Sequence, residues 1–151
     1  MSLLATSLSA AGLVACGGSG PVSVVPLQPS GAAADECAAL LDGLPALVLE
    51  QEARDVEPAD ASAAAWGDPA VVLRCGVKRP AELEPSSPCF VANDVGWFAD
   101  ESSDSEVVFT TIGRSTYVEV TVPDDYPQPS GALAELAAAV SGSTTEVLPC
   151  V

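Results

Sequence analysis

The sequence contains no histidine. That absence excludes Ser-His-Asp and Cys-His nucleophilic systems, histidine-ligated metal centres and imidazole acid–base chemistry. Cations are nearly as scarce: 5 Lys and Arg stand against 21 Asp and Glu, for a formal net charge of −16. No basic stripe is available to neutralise phosphates, so nucleic acid is excluded as a partner and charge-driven adhesion to anionic lipid is disfavoured. Aromatics make up only 5% of the chain, so Trp66, Trp97, Phe90, Phe98 and Phe109 must each matter to packing. No Cys-x-x-Cys spacing signals a zinc site, no motif calls for a cofactor, and no internal repeat is visible. The acidity that remains reads as solubility outside the cell.

What is present begins with an uncharged stretch, residues 1–34. Met1 to Ala15 has the length and apolar character of a secretory h-region and is too short to span a bilayer. It ends in Leu13-Val14-Ala15-Cys16, which resembles the bacterial lipobox. There a small residue lets the signal peptidase cut immediately before the cysteine, whose thiol carries a diacylglyceryl group. Two acyl chains at about 0.8 kcal/mol per buried methylene anchor a protein stably where one would not. The expectation is therefore a signal peptide over residues 1–15, lipid attachment at Cys16, and a protein on the extracytoplasmic face of the cytoplasmic membrane. A secretory signal also needs a positive n-region, which Met1-Ser2-Leu3-Leu4 lacks, so the reading places the true start upstream. Residues 16–34 carry the lipidated cysteine and a Gly-, Ser-, Pro- and Ala-rich tether. Its coil dimension is about 23 Å.

Residues 35–151 then read as one compact α+β domain. Asp35 is a candidate N-cap for a short helix carrying Cys37, Leu40 and Leu41, with Gly43 and Pro45 ending it. Leu47 to Leu49 suit a short strand, Gln51 to Glu57 an exposed polar segment, and the alanines of 59–66 a second helix stopped at Gly67. In the strand that follows, Val71, Leu73, Cys75 and Val77 point one way and Val72, Arg74, Gly76 and Lys78 the other. The three prolines of 79–88 make a loop. Cys89 to Ala92 and Val95 to Phe98 are extended around Asn93-Asp94, which is either a hairpin turn or a bulge. Glu106 to Ile112 and Ser115 to Val122 pair across Gly113-Arg114, with Val118, Val120 and Val122 inward. Ser130 opens a last helix whose Leu133, Leu136, Ala137 and Val140 form one stripe. This order predicts an antiparallel sheet of about four strands with two to three helices mainly on one face, stabilised by disulfides.

Five cysteines leave one over in an exported protein. Setting Cys16 aside for lipid leaves Cys37, Cys75, Cys89 and Cys150, an even four, so the two readings support each other. Three pairings are open. Proximity in sequence favours Cys75–Cys89, with Cys37–Cys150 tying the first helix to the tail.

The run AAAWGDPAVVLRCGVKRP, followed by Cys89, the Asn93 to Trp97 segment, Thr111-Ile112-Gly113-Arg114, Tyr117 to Pro123 and the Ala-rich last helix, resembles an actinobacterial family of exported proteins. That family is known as domain of unknown function 3515. The likeness covers about residues 36–150. Asn93-Asp94-Val95 stands where the family pattern has Asn-Gly-Val. The resemblance implies export and a small compact domain, and no activity.

Among candidate sites, Arg74 and Arg114 stand out because each lies inside a stretch shared with that family. Each is read either as half of a structural ion pair, with Asp68 or Glu119 among the acids available, or as an anion- or partner-reading patch beside Trp66 or Trp97. The acidic loop Asp100, Glu101, Asp104 and Glu106 lacks the EF-hand spacing and reads as solvated. Two function classes follow. The first is a non-catalytic envelope lipoprotein that binds or assembles an envelope protein or glycan. The alternative is a carboxylate-dependent hydrolase of envelope glycans, which requires two carboxylates in one cleft.

Overall fold

A computed structural model describes residues 20–150. The predicted signal peptide and Cys16 lie outside the described residues. The chain runs β1 (Val22–Ser23), α1 (Ala32–Asp42), β2 (Leu47–Val48), β3 (Gln51–Arg54), β4 (Val56–Glu57), β5 (Ala63–Trp66), β6 (Val71–Val77), β7 (Phe90–Ala92), β8 (Val95–Asp100), β9 (Glu106–Thr111), β10 (Tyr117–Pro123) and α2 (Ser130–Ser143). Eight strands form one antiparallel sheet in the order β2-β3-β5-β6-β10-β9-β8-β7, and β1 and β4 form a separate parallel pair. The expected sheet of about four strands is therefore corrected to eight, with two helices among the described residues.

The additional strands come from segments whose local signals pointed elsewhere. Alanine-rich 59–66 was expected to be helical, but Ala63–Trp66 is a strand paired with β6 on one side and β3 on the other. The helix preference of alanine is worth at most about 0.7 kcal/mol per residue, and an isolated helix this short is marginal in water. Two ladders and complete burial of Trp66 outweigh it. Gln51–Arg54 is polar and shows no inward alternation, so only its position between β2 and β5 makes it a strand.

One face of the sheet is sealed. Register places Trp66, Val71, Leu73, Cys75, Val118 and Val120 on the same face, and all six are buried. Phe109 continues that row through β9. Both helices pack there, α1 through Cys37 and Leu40 and α2 through the predicted stripe Leu133, Leu136, Ala137 and Val140. Helix α1 begins three residues before Asp35, at Ala32. Asp35 sits in its first turn, where a carboxylate is favoured by the exposed N–H groups.

Asn93 and Asp94 resolve as the turn of a β7–β8 hairpin, both with positive φ (44° and 67°). Both central residues of a two-residue hairpin turn take that conformation, which asparagine and aspartate tolerate. Within residues 16–34, read from composition as tether, Gly20 to Val24 run beside β4. Val22 N donates to Asp55 O at 2.8 Å and Val24 N to Glu57 O at 2.9 Å, and Arg54 donates to Gly20 O.

The disulfides join Cys37 to Cys75 and Cys89 to Cys150, with Cα–Cα distances of 5.5 and 5.9 Å. The favoured pairing Cys75–Cys89 with Cys37–Cys150 is overturned. Cys75 faces the sealed side of the sheet, where α1 brings Cys37 over it, while Cys89 lies outside the sheet beside the tail. Neighbourhood in sequence gave way to side-chain direction.

Candidate ligand-binding cleft

The four residues singled out as candidates are not brought together. Trp66 is core, its indole N–H donating to Pro45 O at 3.1 Å. The Gly67 turn after it is fastened by Arg54, which donates to Gly67 O at 2.7 Å, and by Tyr126, whose hydroxyl donates to Pro69 O at 2.7 Å. Gly67 has a φ of +73°, and a Cβ there would meet the Tyr126 hydroxyl and the Gln51 side chain within 3 Å. The WGDP run thus serves a crowded hairpin turn. Tyr126 titrates above its ordinary value because of partial burial, with Asp125 and Asp68 adding to the shift.

Trp97 is also fully buried, and its indole N–H has no hydrogen-bond partner among the described residues. Arg74 stands on the sheet face away from the helices. Its Nε donates to Glu119 Oε1 at 2.9 Å, and the two side chains are 27% and 16% exposed. Register had placed the two residues opposite each other on β6 and β10. This is a half-buried ion pair across a ladder, with its anion already supplied.

Arg114 does different work. It is buried, and its Nε donates to Thr144 Oγ1 at 2.9 Å while Nη2 donates to Thr144 O at 2.6 Å and Ser141 O at 3.3 Å. Those carbonyls lie at the C-terminal end of α2, which has no basic residue in its own last turn. A guanidinium reaching in from the β9–β10 turn therefore meets carbonyls that the helix leaves unpaired, at the negative end of its dipole. Glu146 approaches Nη1 at 3.9 Å from the exposed side.

Beyond α2 the tail is laced onto the same turn. Val147 N and Leu148 N both donate to Gly113 O, at 2.7 and 3.1 Å, and Ser115 N donates to Thr145 O at 2.8 Å. Gly113 has a φ of +66°, and a Cβ there would collide with the Leu148 carbonyl. The turn is therefore built for close approach of backbone. Cys150 then closes the tail onto Cys89.

Between this tail and the 79–88 loop lies a cleft of about 270 Å³. Leu83 and Pro85 form its loop wall, Ile112 and Tyr117 its floor, and Val147 and Leu148 its tail wall. Arg79 and Glu84 also line it, Glu84 being the single carboxylate among the lining residues. Arg79 makes one long contact, from Nη1 to Pro80 O at 3.5 Å, and has no ion pair among the described residues. The Tyr117 hydroxyl likewise has no hydrogen-bond partner among the described residues. An apolar lining with a few unengaged polar groups is the usual composition of a small-molecule site, here just below the usual size range.

Sequence reasoning passed over this cleft. Arg79 was visible only as a member of a proline-rich loop, and the tail's exposed Val147 and Leu148 carried no periodic signal. The scarcity of cations was the one clue available. Elsewhere, the Asp100 carboxyl is held below its ordinary value by Ser102, first through its side chain and then through its backbone N–H, which donates to Oδ1 at 2.9 Å. Among the described residues no three His, Cys, Asp or Glu gather as a metal cluster, and no helix is long and apolar enough to cross a membrane.

Fold and cleft together define a disulfide-fastened α+β domain, one helix-covered antiparallel sheet with a ligand-sized recess at the tail. The chain belongs to the DUF3515 family, described as a protein of unknown function, whose sequence profile matches residues 2–148. No curated protein and no solved structure matches it.

Proposed function

We propose that the chain is an exported envelope lipoprotein, anchored through diacylglyceryl on Cys16, whose domain is a non-catalytic binding module on the extracytoplasmic face of the membrane. The observation that carries this reading is the cysteine pairing. The four cysteines of the folded part are consumed by two disulfides. That usage suits an oxidising compartment, and it leaves Cys16, within Leu13-Val14-Ala15-Cys16, as the remaining thiol. Within this cleft the lining offers one carboxylate, where a glycosidase mechanism needs two, so the cleft is read as a binding site.

Fractionation and intact mass test the anchor. The mature protein is expected to begin at Cys16, to carry a diacylglyceryl group and to sediment with membranes, whereas Cys16→Ala is released. A Cys16→Ala protein that stays with the membrane, alongside wild type lacking lipid mass, would reject it. Crosslinking in intact envelopes tests the binding role separately, through recovery of a specific partner or ligand.

A further inference from the structure

We propose that the cleft between the 79–88 loop and the C-terminal tail binds a small organic monoanion with an apolar body, its carboxylate on Arg79 and its body against Leu83, Ile112, Val147 and Leu148. The proposal rests on the reading of the domain as a binding module and is independent of the anchor.

Charge placement is the first argument. Of the five cations, Arg54, Arg74 and Arg114 each have an acidic partner, Asp68, Glu119 and Glu146 respectively. The other two, Lys78 and Arg79, are consecutive and exposed, and neither has an ion pair among the described residues. In a chain of net charge −16, one of these two uncommitted cations, Arg79, lines the cleft, where Glu84 is the single carboxylate. A guanidinium offers a carboxylate two parallel N–H donors, which fixes orientation as well as charge. The overall negative field disfavours highly charged anions and a second copy of the chain, so the fitting partner carries one negative charge.

The second argument is the apolar wall. Val147 and Leu148 are 66% and 63% exposed, although their backbones are held to Gly113 and the segment ends in a disulfide. Large aliphatic side chains held rigidly in water beside an apolar recess gain by being covered. Preorganisation also lowers the entropic cost of covering them, since the tail has little left to lose on binding. The Tyr117 hydroxyl, unengaged in the cleft lining, supplies a second polar contact for the head group. Arg114, whose Nε and Nη2 are engaged by Thr144 and Ser141, supports the wall by holding the end of α2 to the β9–β10 turn.

Octanoate is the probe, with octanol, octylamine and octyl phosphate as comparisons, on the full-length oxidised Cys16→Ala chain so that no detergent is needed. Octanoate is expected to bind saturably and to shift the amide signals of Ile112, Gly113, Val147 and Leu148. Octanol and octylamine should bind at least about tenfold more weakly, the worth of a charge-assisted hydrogen bond. Arg79→Ala should remove that preference without altering the remaining amide spectrum, as expected for an exposed side chain, and Leu148→Ser should weaken octanoate and octanol alike. Octyl phosphate binding more tightly than octanoate would assign the head group to phosphate and overturn the carboxylate. Equal binding of octanoate and octanol, an unaltered affinity in Arg79→Ala, shifts confined to another surface, or no saturable binding would each overturn the site. A specific envelope partner still captured by the wild type in that event keeps the binding-module reading, whereas loss of both removes it.

Discussion

The two disulfides fasten regions of opposite character. Cys37–Cys75 joins α1 to the middle of the sheet, and both cysteines are buried in the cluster that holds Leu40, Leu73 and Val118. Cys89–Cys150 joins the end of a proline-rich loop to the last described residue, both cysteines half-buried against the cleft. Loop length alone ranks them one way. Separations of 38 and 61 residues correspond to about 3.9 and 4.3 kcal/mol in the chain-entropy model, slightly favouring the tail bridge. Burial ranks them the other way. Removing the inner bridge also leaves a gap in packed surroundings, whereas removing the outer one lets the tail fray in the native state and regain part of the entropy. The lesson is that a crosslink's worth depends on what its surroundings do when it is cut.

The largest expected effect tests that ranking. Replacing Cys37 and Cys75 together by alanine should cost about 5 kcal/mol, the entropic term plus a cavity term. That is a large share of a typical domain's stability, so the variant is expected to be largely unfolded at 37 °C by circular dichroism. Urea unfolding at low temperature provides the number, and a loss below that of the outer pair would show that loop length governs instead.

Arg114→Ala comes next, at about 3 kcal/mol, because it strips a buried cation from α2 carbonyls and leaves Thr144 without its donor. Hydrogen exchange should rise first at residues 141–148. Uniform loss of protection across the sheet would contradict a role confined to the tail region.

Replacing Cys89 and Cys150 together by serine should cost about 2–3 kcal/mol and leave the sealed face intact. Near-ultraviolet dichroism of the buried Trp66 and Trp97 should persist while the tail amides lose protection. Collapse of the tryptophan signal would mean that the two regions are one cooperative unit.

Arg74→Ala should be the mildest, at about 1–2 kcal/mol, between the limits for exposed and buried pairs, since Arg74 and Glu119 keep some solvent contact. Thermal melts of Arg74→Ala, Glu119→Ala and the double variant give the coupling. A loss equal to that of Arg114→Ala would place both arginines in the same class.

Much of the sealed face was legible. Alternation marked Val71, Leu73 and Cys75 on one strand and Val118, Val120 and Val122 on another, and the 3.6-residue stripe marked α2. These patterns are local, so one sequence suffices to read them. The cleft was not legible, because its walls come from residues some 60 positions apart and its apolar tail residues follow no period.

The sequence by itself determined that no imidazole chemistry is available, because it holds no histidine, and that positive charge is scarce. It also determined which residues of its strongest strands and last helix face inward. Only the tertiary structure decided the width of the sheet, which turned on a short polar segment and an alanine run joining neighbours as strands. It also decided which cysteines pair and what each arginine does. Those outcomes depend on which distant groups arrive beside a side chain: α1 over Cys75, the α2 carbonyls beside Arg114, and Glu119 across the ladder from Arg74. Local propensities of tenths of a kcal/mol per residue give way when strand pairing, burial and crosslinks contribute several.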